Sequence, residues 1–175
     1  MTDAGVLASP ISNSIGSEDR FALLVGRQSR FVFQVAWAVL RNAQDAEDVA
    51  QETFLKLYRT GSWERIEDER AFLARTAWRL AVRRIRGRRA PEAIEERPDL
   101  SADPERSAIA SNLNSAVQRL IDALPEEMRV PLALSAIDEM TSREIAAVME
   151  IPEGTVRTRI MRAREILRSK LGVVA

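Results

Sequence analysis

Residues 141–171 read TSREIAAVMEIPEGTVRTRIMRAREILRSKL, and this stretch decides the fold. Thr141 is an N-cap candidate with Ser142 and Glu144 close behind, and Ile145 to Met149 continue as a short amphipathic helix. Glu150-Ile151-Pro152-Glu153-Gly154 cannot extend that helix, so the chain turns. A longer helix starts at about Thr155 and sets Val156, Ile160, Ala163, Leu167 and Leu171 on one side, at steps of four, three, four and four. Opposite them lie Thr155, Thr158 and Arg162, with Arg159 beside these and Arg157, Arg164 and Arg168 on the flank. Between Thr155 and Leu171 there are six bases and one acid, Glu165. Short helix, tight turn and longer basic helix in that order make a helix-turn-helix. The second helix presents Thr and Arg to a major groove, where guanidinium forks match guanine O6 and N7 while flanking charges meet phosphates. A plain helical hairpin with a basic exterior is the competing reading.

The rest of the chain is helical as well. No stretch alternates with period two over a strand's length, so the fold class is all-α. A helical block runs from about Ser107 to Leu171, with breaks near Pro125, near Asp138 to Ser142, and near Pro152. Before it, residues 91–105 hold Pro91, Pro98 and Pro104 and six acids against one base, Arg97. Proline interrupts helices and like charges keep a segment extended, so residues 91–111 read as a flexible acidic linker. Upstream, Phe21 to Arg89 contain no Pro and only Gly26, Gly61 and Gly87 as glycines. The expected organisation is a tail over 1–17, a helical domain over 18–90, the linker, and a second helical domain over 112–172.

Three helices are expected in the first domain. Glu18 to Leu40 buries Leu24, Phe31, Val35 and Val39. Ala43 to Tyr58 places Ala46, Val49, Ala50, Thr53, Phe54 and Leu57 on one face, and its other side carries Asp45, Glu47, Asp48, Gln51 and Glu52 with no base before Lys56. Acids near a helix N-terminus complement the macrodipole; a face this acidic also suits a basic protein partner. Glu69 to Arg86 puts Arg75, Arg79, Arg83 and Arg86 at steps of four, four and three, a continuous basic stripe opposite Leu73, Ala77, Leu80, Ala81 and Ile85. Phe72 to Arg89 contains seven Arg and no acid. Such a helix repels itself unless an anion compensates, which points to nucleic-acid phosphate. Trp63 and Trp78 lie near the stripe, where exposed rings can stack on unpaired bases; Trp63, in a polar stretch, is the better candidate.

Composition closes off other functions. The 175 residues include no Cys and no His, which removes disulfides, thiolate or imidazole metal sites, cysteine nucleophiles and histidine acid–base schemes. No Gly-rich phosphate loop is present. No enzyme activity, cofactor or metal is therefore expected. Lys+Arg and Asp+Glu both number 26, and all bases but Lys56 and Lys170 are Arg, a preference that fits phosphate and guanine recognition or a coding bias alike. No apolar run is long enough to insert in a membrane, and Met1 to Ser17 lacks the features of a secretory signal, so a cytoplasmic location is expected.

Asp45-Ala46-Glu47-Asp48-Val49-Ala50-Gln51-Glu52-Thr53-Phe54-Leu55 resembles the core-polymerase-binding helix in region 2 of bacterial sigma factors. Leu124-Pro125-Glu126-Glu127, Ser142-Arg143-Glu144-Ile145-Ala146 and Ile151-Pro152-Glu153-Gly154-Thr155-Val156-Arg157-Thr158-Arg159 resemble their region 4. Both regions in order, over about Phe21 to Leu171, are similar to the extracytoplasmic-function (group IV) sigma factors. The resemblance implies core RNA polymerase, promoter DNA and an anti-sigma factor as partners. It implies docking of Asp48, Gln51 and Glu52 on the polymerase clamp helices, with Asp45 and Glu47 on the same acidic face. Trp63, Arg75, Trp78, Arg79, Arg83 and Arg86 would meet the −10 element, with the 61–68 loop capturing a flipped base. Thr155, Arg157, Thr158, Arg159 and Arg162 would meet the −35 element. Departures from the family pattern lie at Phe72, Arg79, Arg83 and Ser142, and Pro131 should kink a region 4 helix or shift its start. A stand-alone regulator with the same helix-turn-helix is the alternative; it leaves the second basic helix and the acidic face unexplained.

Overall fold

The computed structural model describes residues 16–88, 108–137 and 140–174, which contain helices and no strand. The expected tail falls outside them except for its last residues, as does the linker except for its end.

Helix α1 (Ser17–Leu40) opens with Glu18 and Asp19 at its positive end and closes at Arg41, whose backbone is left-handed and whose N–H reaches the Trp37 carbonyl. Asn42 starts α2 (Ala43–Thr60) by accepting the Asp45 N–H at 3.0 Å, and Gly61, at φ 61°, ends it. A 3₁₀ turn (Ser62–Arg65) leads to α3 (Glu69–Arg88), where the Asp68 carboxylate accepts the Ala71 N–H at 3.0 Å. Then come α4 (Ala108–Asp122), α5 (Glu126–Ser135), α6 (Ser142–Met149) and α7 (Glu153–Val174).

The expected helices are present, with two differences of local chemistry. Helix α7 begins at Glu153 rather than about Thr155, because the Pro152 carbonyl accepts the Thr155 and Val156 N–H groups and so takes the cap position. Gly154 is therefore helical, and the left-handed residue of the turn is Glu150, at φ 58°. Pro131 stays inside α5 without ending it; lacking an N–H, it cannot bond the Glu127 carbonyl four residues back.

Helix α1 packs on α2 and α3 around Phe31, Val32, Val35, Val49, Leu57 and Leu73, all buried. Ala36, Ala46, Ala74, Ala77 and Ala81 are buried as well, and small side chains let the three axes approach closely. In the second block α5, α6 and α7 enclose Val130, Leu134, Ile145, Val148 and Val156. The two blocks share one hydrophobic cluster, because α1 also packs on α5 and α3 on α6.

Candidate docking and nucleic-acid interfaces

The candidate docking face of α2 follows from what its apolar stripe leaves outside. With Ala46, Val49, Ala50, Phe54 and Leu57 turned inward, Glu47, Asp48, Gln51 and Glu52 are exposed. Asp45 is not on that face. It is 4% exposed, and its carboxylate meets Arg84 at 3.0 Å and Arg88 at 2.7 Å from the end of α3. It is a structural ion-pair partner, so the acidic face begins at Glu47. Asp48 remains exposed but shares Arg84, at 2.8 Å. Two residues that the sequence reading left out belong to the same surface: Leu55 and Tyr58 are 52% and 50% exposed. Their signal was present, since both lie outside the buried stripe on an otherwise acidic side.

On α3, Arg75, Arg79, Arg83 and Arg86 all point to solvent as the spacing implies, while Leu73, Ala77, Leu80 and Ala81 are buried. Arg79 pairs with Glu150 of the helix-turn-helix; no ion pair joins Arg75, Arg83 or Arg86 to an acid among the described residues. Trp78 stands apart from the stripe: it lines a cleft of about 430 Å3 with Val130, Met149, Ile151 and Arg159. Trp63, in the 3₁₀ turn, is half-buried, its ring 5.3 Å from that of Phe21 and 5.7 Å beneath the Arg20 guanidinium. Phe21 lies 5.1 Å from Tyr58 in turn, so the 61–68 loop is anchored to α1 and α2 through aromatic contacts.

The helix-turn-helix is held by a capping box. Thr141 accepts the Glu144 N–H at 3.2 Å, and Glu144 accepts the Thr141 N–H at 2.7 Å and hydroxyl at 2.8 Å. Those donated bonds, backbone first, hold the Glu144 carboxyl below the usual carboxylate range. On α7, Val156, Ile160 and Ala163 are buried, and Thr158 and Arg162 face out with Thr155 half-buried beside them. The Thr158 hydroxyl donates back to the Gly154 carbonyl at 2.9 Å. Arg157 pairs with Glu153, and Arg159 lies 3.7 Å from Glu127 of α5. Glu127, Met128, Gly154, Thr155, Thr158, Arg159 and Arg162 form a shallow concavity of about 370 Å3, so four of the five α7 residues named from sequence share one surface, and Arg157, paired with Glu153, does not line it. Glu127, which comes within 3.7 Å of Arg159 from another helix, has no local signature.

An acidic and apolar face on one helix, a basic stripe on the next, and a helix-turn-helix are the features expected of a nucleic-acid-binding protein that also docks on another protein. Residues 24–90 match the family model for sigma-70 region 2, and residues 114–167 match that for sigma-70 region 4. Over 170 residues the chain is 32% identical to the ECF RNA polymerase sigma factor SigW of Bacillus subtilis, covering 89% of this chain and 91% of the relative. It is 35% identical over 177 residues to the ECF RNA polymerase sigma-E factor of Escherichia coli K12, covering 89% and 88%. Among solved structures, the sigma factor RpoE in complex with the anti-sigma factor NepR from Bartonella quintana superposes with a TM-score of 0.70 at 19% identity, covering 88% of this chain and 98% of that one. CnrH in complex with the cytosolic domain of CnrY superposes at 0.63 and 24% identity, covering 91% and 92%. The chain belongs to the ECF RNA polymerase sigma factors of the sigma-70 family. No described helix is long and apolar enough to cross a membrane.

Proposed function

We propose that this chain, as a sigma factor, docks on core RNA polymerase through the outer face of α2 and carries it to promoters read by α3 and α7. Glu47, Asp48, Gln51 and Glu52 supply charge to a basic partner, and Leu55 and Tyr58 supply apolar area at its centre. The bare arginines of α3 lie along the −10 element, and the anchored loop with Trp63 receives a base unstacked as the duplex opens; unstacking costs a few kcal/mol, which the pocket must offset. Arg162, Arg159, Arg157, Thr158 and Thr155 meet the −35 element. An anti-sigma factor holds the chain inactive in the cytoplasm by covering these faces. The chain needs no cofactor or metal, since bond formation belongs to the polymerase.

The observation that carries this reading is the sorting of charge: one exposed acidic and apolar helix face, and two separate exposed basic ones. The test is to add the chain to sigma-free core polymerase with fragmented genomic DNA and map transcript 5′ ends. Discrete starts sharing two upstream elements are expected. Operator binding by the chain alone, with no initiation, would transfer the case to the stand-alone regulator. Within the same assay, Glu47→Arg with Glu52→Arg should weaken polymerase binding while helicity and melting temperature stay put.

A further inference from the structure

We propose that α1 carries a further nucleic-acid site, a stripe of arginine and leucine that binds the single strand leaving the 61–68 loop toward the start site as the promoter opens. This rests on the sigma-factor reading and extends it to DNA assigned to neither α3 nor α7.

Composition sets α1 apart. From Arg20 to Gln44 the chain holds four Arg and no acid, the imbalance that also marks α3, and a helix of one sign repels itself unless an anion compensates. Arg20, Leu23, Arg27 and Arg30 follow at steps of three, four and three, so they line one side of the helix. All four are exposed, because Leu24, Phe31, Val32 and Val35 take the side that faces the core. Core packing explains none of the four. Leu23, at 55%, is the most exposed large apolar side chain among the described residues.

The acids that border the stripe have other work. Glu18 and Asp19 sit in the first turn of α1, against its positive end. Glu64 accepts the Ser17 hydroxyl at 3.0 Å, and Glu69 accepts the Gln28 amide at 2.8 Å. Arg27 also reaches Glu69, at 3.3 Å, with 65% of its side chain exposed; pairs this open to water contribute little, so a phosphate can take the place of Glu69. No ion pair joins Arg20 or Arg30 to an acid among the described residues.

Position names the ligand. The Arg20 guanidinium lies 5.7 Å from the centre of the Trp63 ring, so the stripe begins at the loop that receives the unstacked base. Helix α3 leaves that loop at Glu69 and packs on α6, in the block that holds the −35 reader. A strand that follows α3 to the loop therefore comes from the −35 side, and its continuation toward the start site meets α1. That strand is the one not copied, since its complement must pair with incoming nucleotides. From Arg20 to Arg30 the helix rises about 15 Å, the length of about four nucleotides at 3.4 Å each. The three arginines meet phosphates, and Leu23 between them offers an apolar surface to an unpaired base, the combination from which sequence-tolerant single-strand sites are built. A paired duplex would present no base face to Leu23.

The test uses the chain bound to core polymerase and a promoter recovered from the transcript map, synthesised as two forks. In the short fork the uncopied strand stops at the end of the −10 element; in the long fork it runs on for about ten single-stranded nucleotides, within the usual size of such sites. Wild type should prefer the long fork. Arg27→Gln with Arg30→Gln should lower the salt slope of that preference by about 1.4, about 0.7 for each lost phosphate contact, so that a fourfold rise in salt costs wild type about sevenfold more of it than the variant. Leu23→Ser should weaken binding to the long fork with no change of slope. Both variants should keep wild-type helicity and wild-type affinity for the short fork, and Arg27→Lys with Arg30→Lys should retain the slope. Equal losses on the two forks would place these side chains in the fold or in polymerase docking, and an unchanged long fork would leave the stripe to an acidic protein; either result overturns the site. If wild type with polymerase neither binds the short fork nor initiates, it is the sigma-factor reading that fails.

Discussion

Helices α3 and α7 are both basic, yet their charges are arranged differently. On α3, Arg75, Arg83 and Arg86 project without an acidic partner among the described residues, and Arg84 and Arg88 turn back to Asp45. On α7, Arg157 pairs with Glu153 and Arg159 lies 3.7 Å from Glu127, beside Thr158 and an outward Arg162. A row of unpaired guanidinium groups is a field that follows any polyanion. Guanidinium groups held in place by their own acids are positioned for particular atoms. On the proposed reading, this contrast would give region 2 more of the affinity and region 4 more of the discrimination.

That contrast is most exposed at Arg162. Arg162→Ala should cost about 1–3 kcal/mol at one −35 base pair and little at others if it forks onto a base; competition assays across single-base −35 variants would read this. A uniform loss would make α7 a second version of α3. Next in size is the scaffold beneath the reader. Thr141→Ala should lower stability by about 1 kcal/mol through loss of the cap, seen as a lower denaturant midpoint. The Glu144 carboxyl is depressed in the folded state by the Thr141 groups, so its contribution is complete at neutral pH and fades as pH falls through that lowered value. In Thr141→Ala this acid-side loss should shrink. The smallest effect belongs to α3: Arg83→Ala and Arg86→Ala should each reduce the salt slope of −10 single-strand binding by about 0.7, equally for all sequences. A base-specific change there would give α3 a reading role.

Local periodicity was enough for the helices. The stripe Val156, Ile160, Ala163 and the box formed by Thr141 and Glu144 are statements about neighbours three and four residues apart, and they survive into three dimensions. Asp45 shows where that information stops. It belongs to the acidic run by sequence, but Arg84 and Arg88 reach it from 39 and 43 residues away. Without them a buried carboxylate there would be untenable. Glu150 is a second case: glycine usually marks the left-handed residue, and Gly154 stood close enough to draw the turn two helix positions too far. One contact between the blocks, Arg129 donating to the Ala38 carbonyl across a separation of 91 residues, has no local signature at all.

The Asp45 bridge has a consequence for promoters. It ties the first turn of α2 to the last turns of α3, and the two helices also share the α1 core, so they move as one plate. If polymerase grips α2 as proposed, the −10 contacts proposed for α3 are placed with little play. On the proposed reading the −35 reader belongs to the other block, which meets this plate through apolar packing of α1 on α5 and α3 on α6 and a few polar contacts, with no counterpart of the Asp45 bridge to α2. Adding or removing one base pair between the elements, about 3.4 Å along the duplex, should therefore be absorbed on the −35 side. Transcription should keep its start at a fixed distance from −10 and lose only efficiency.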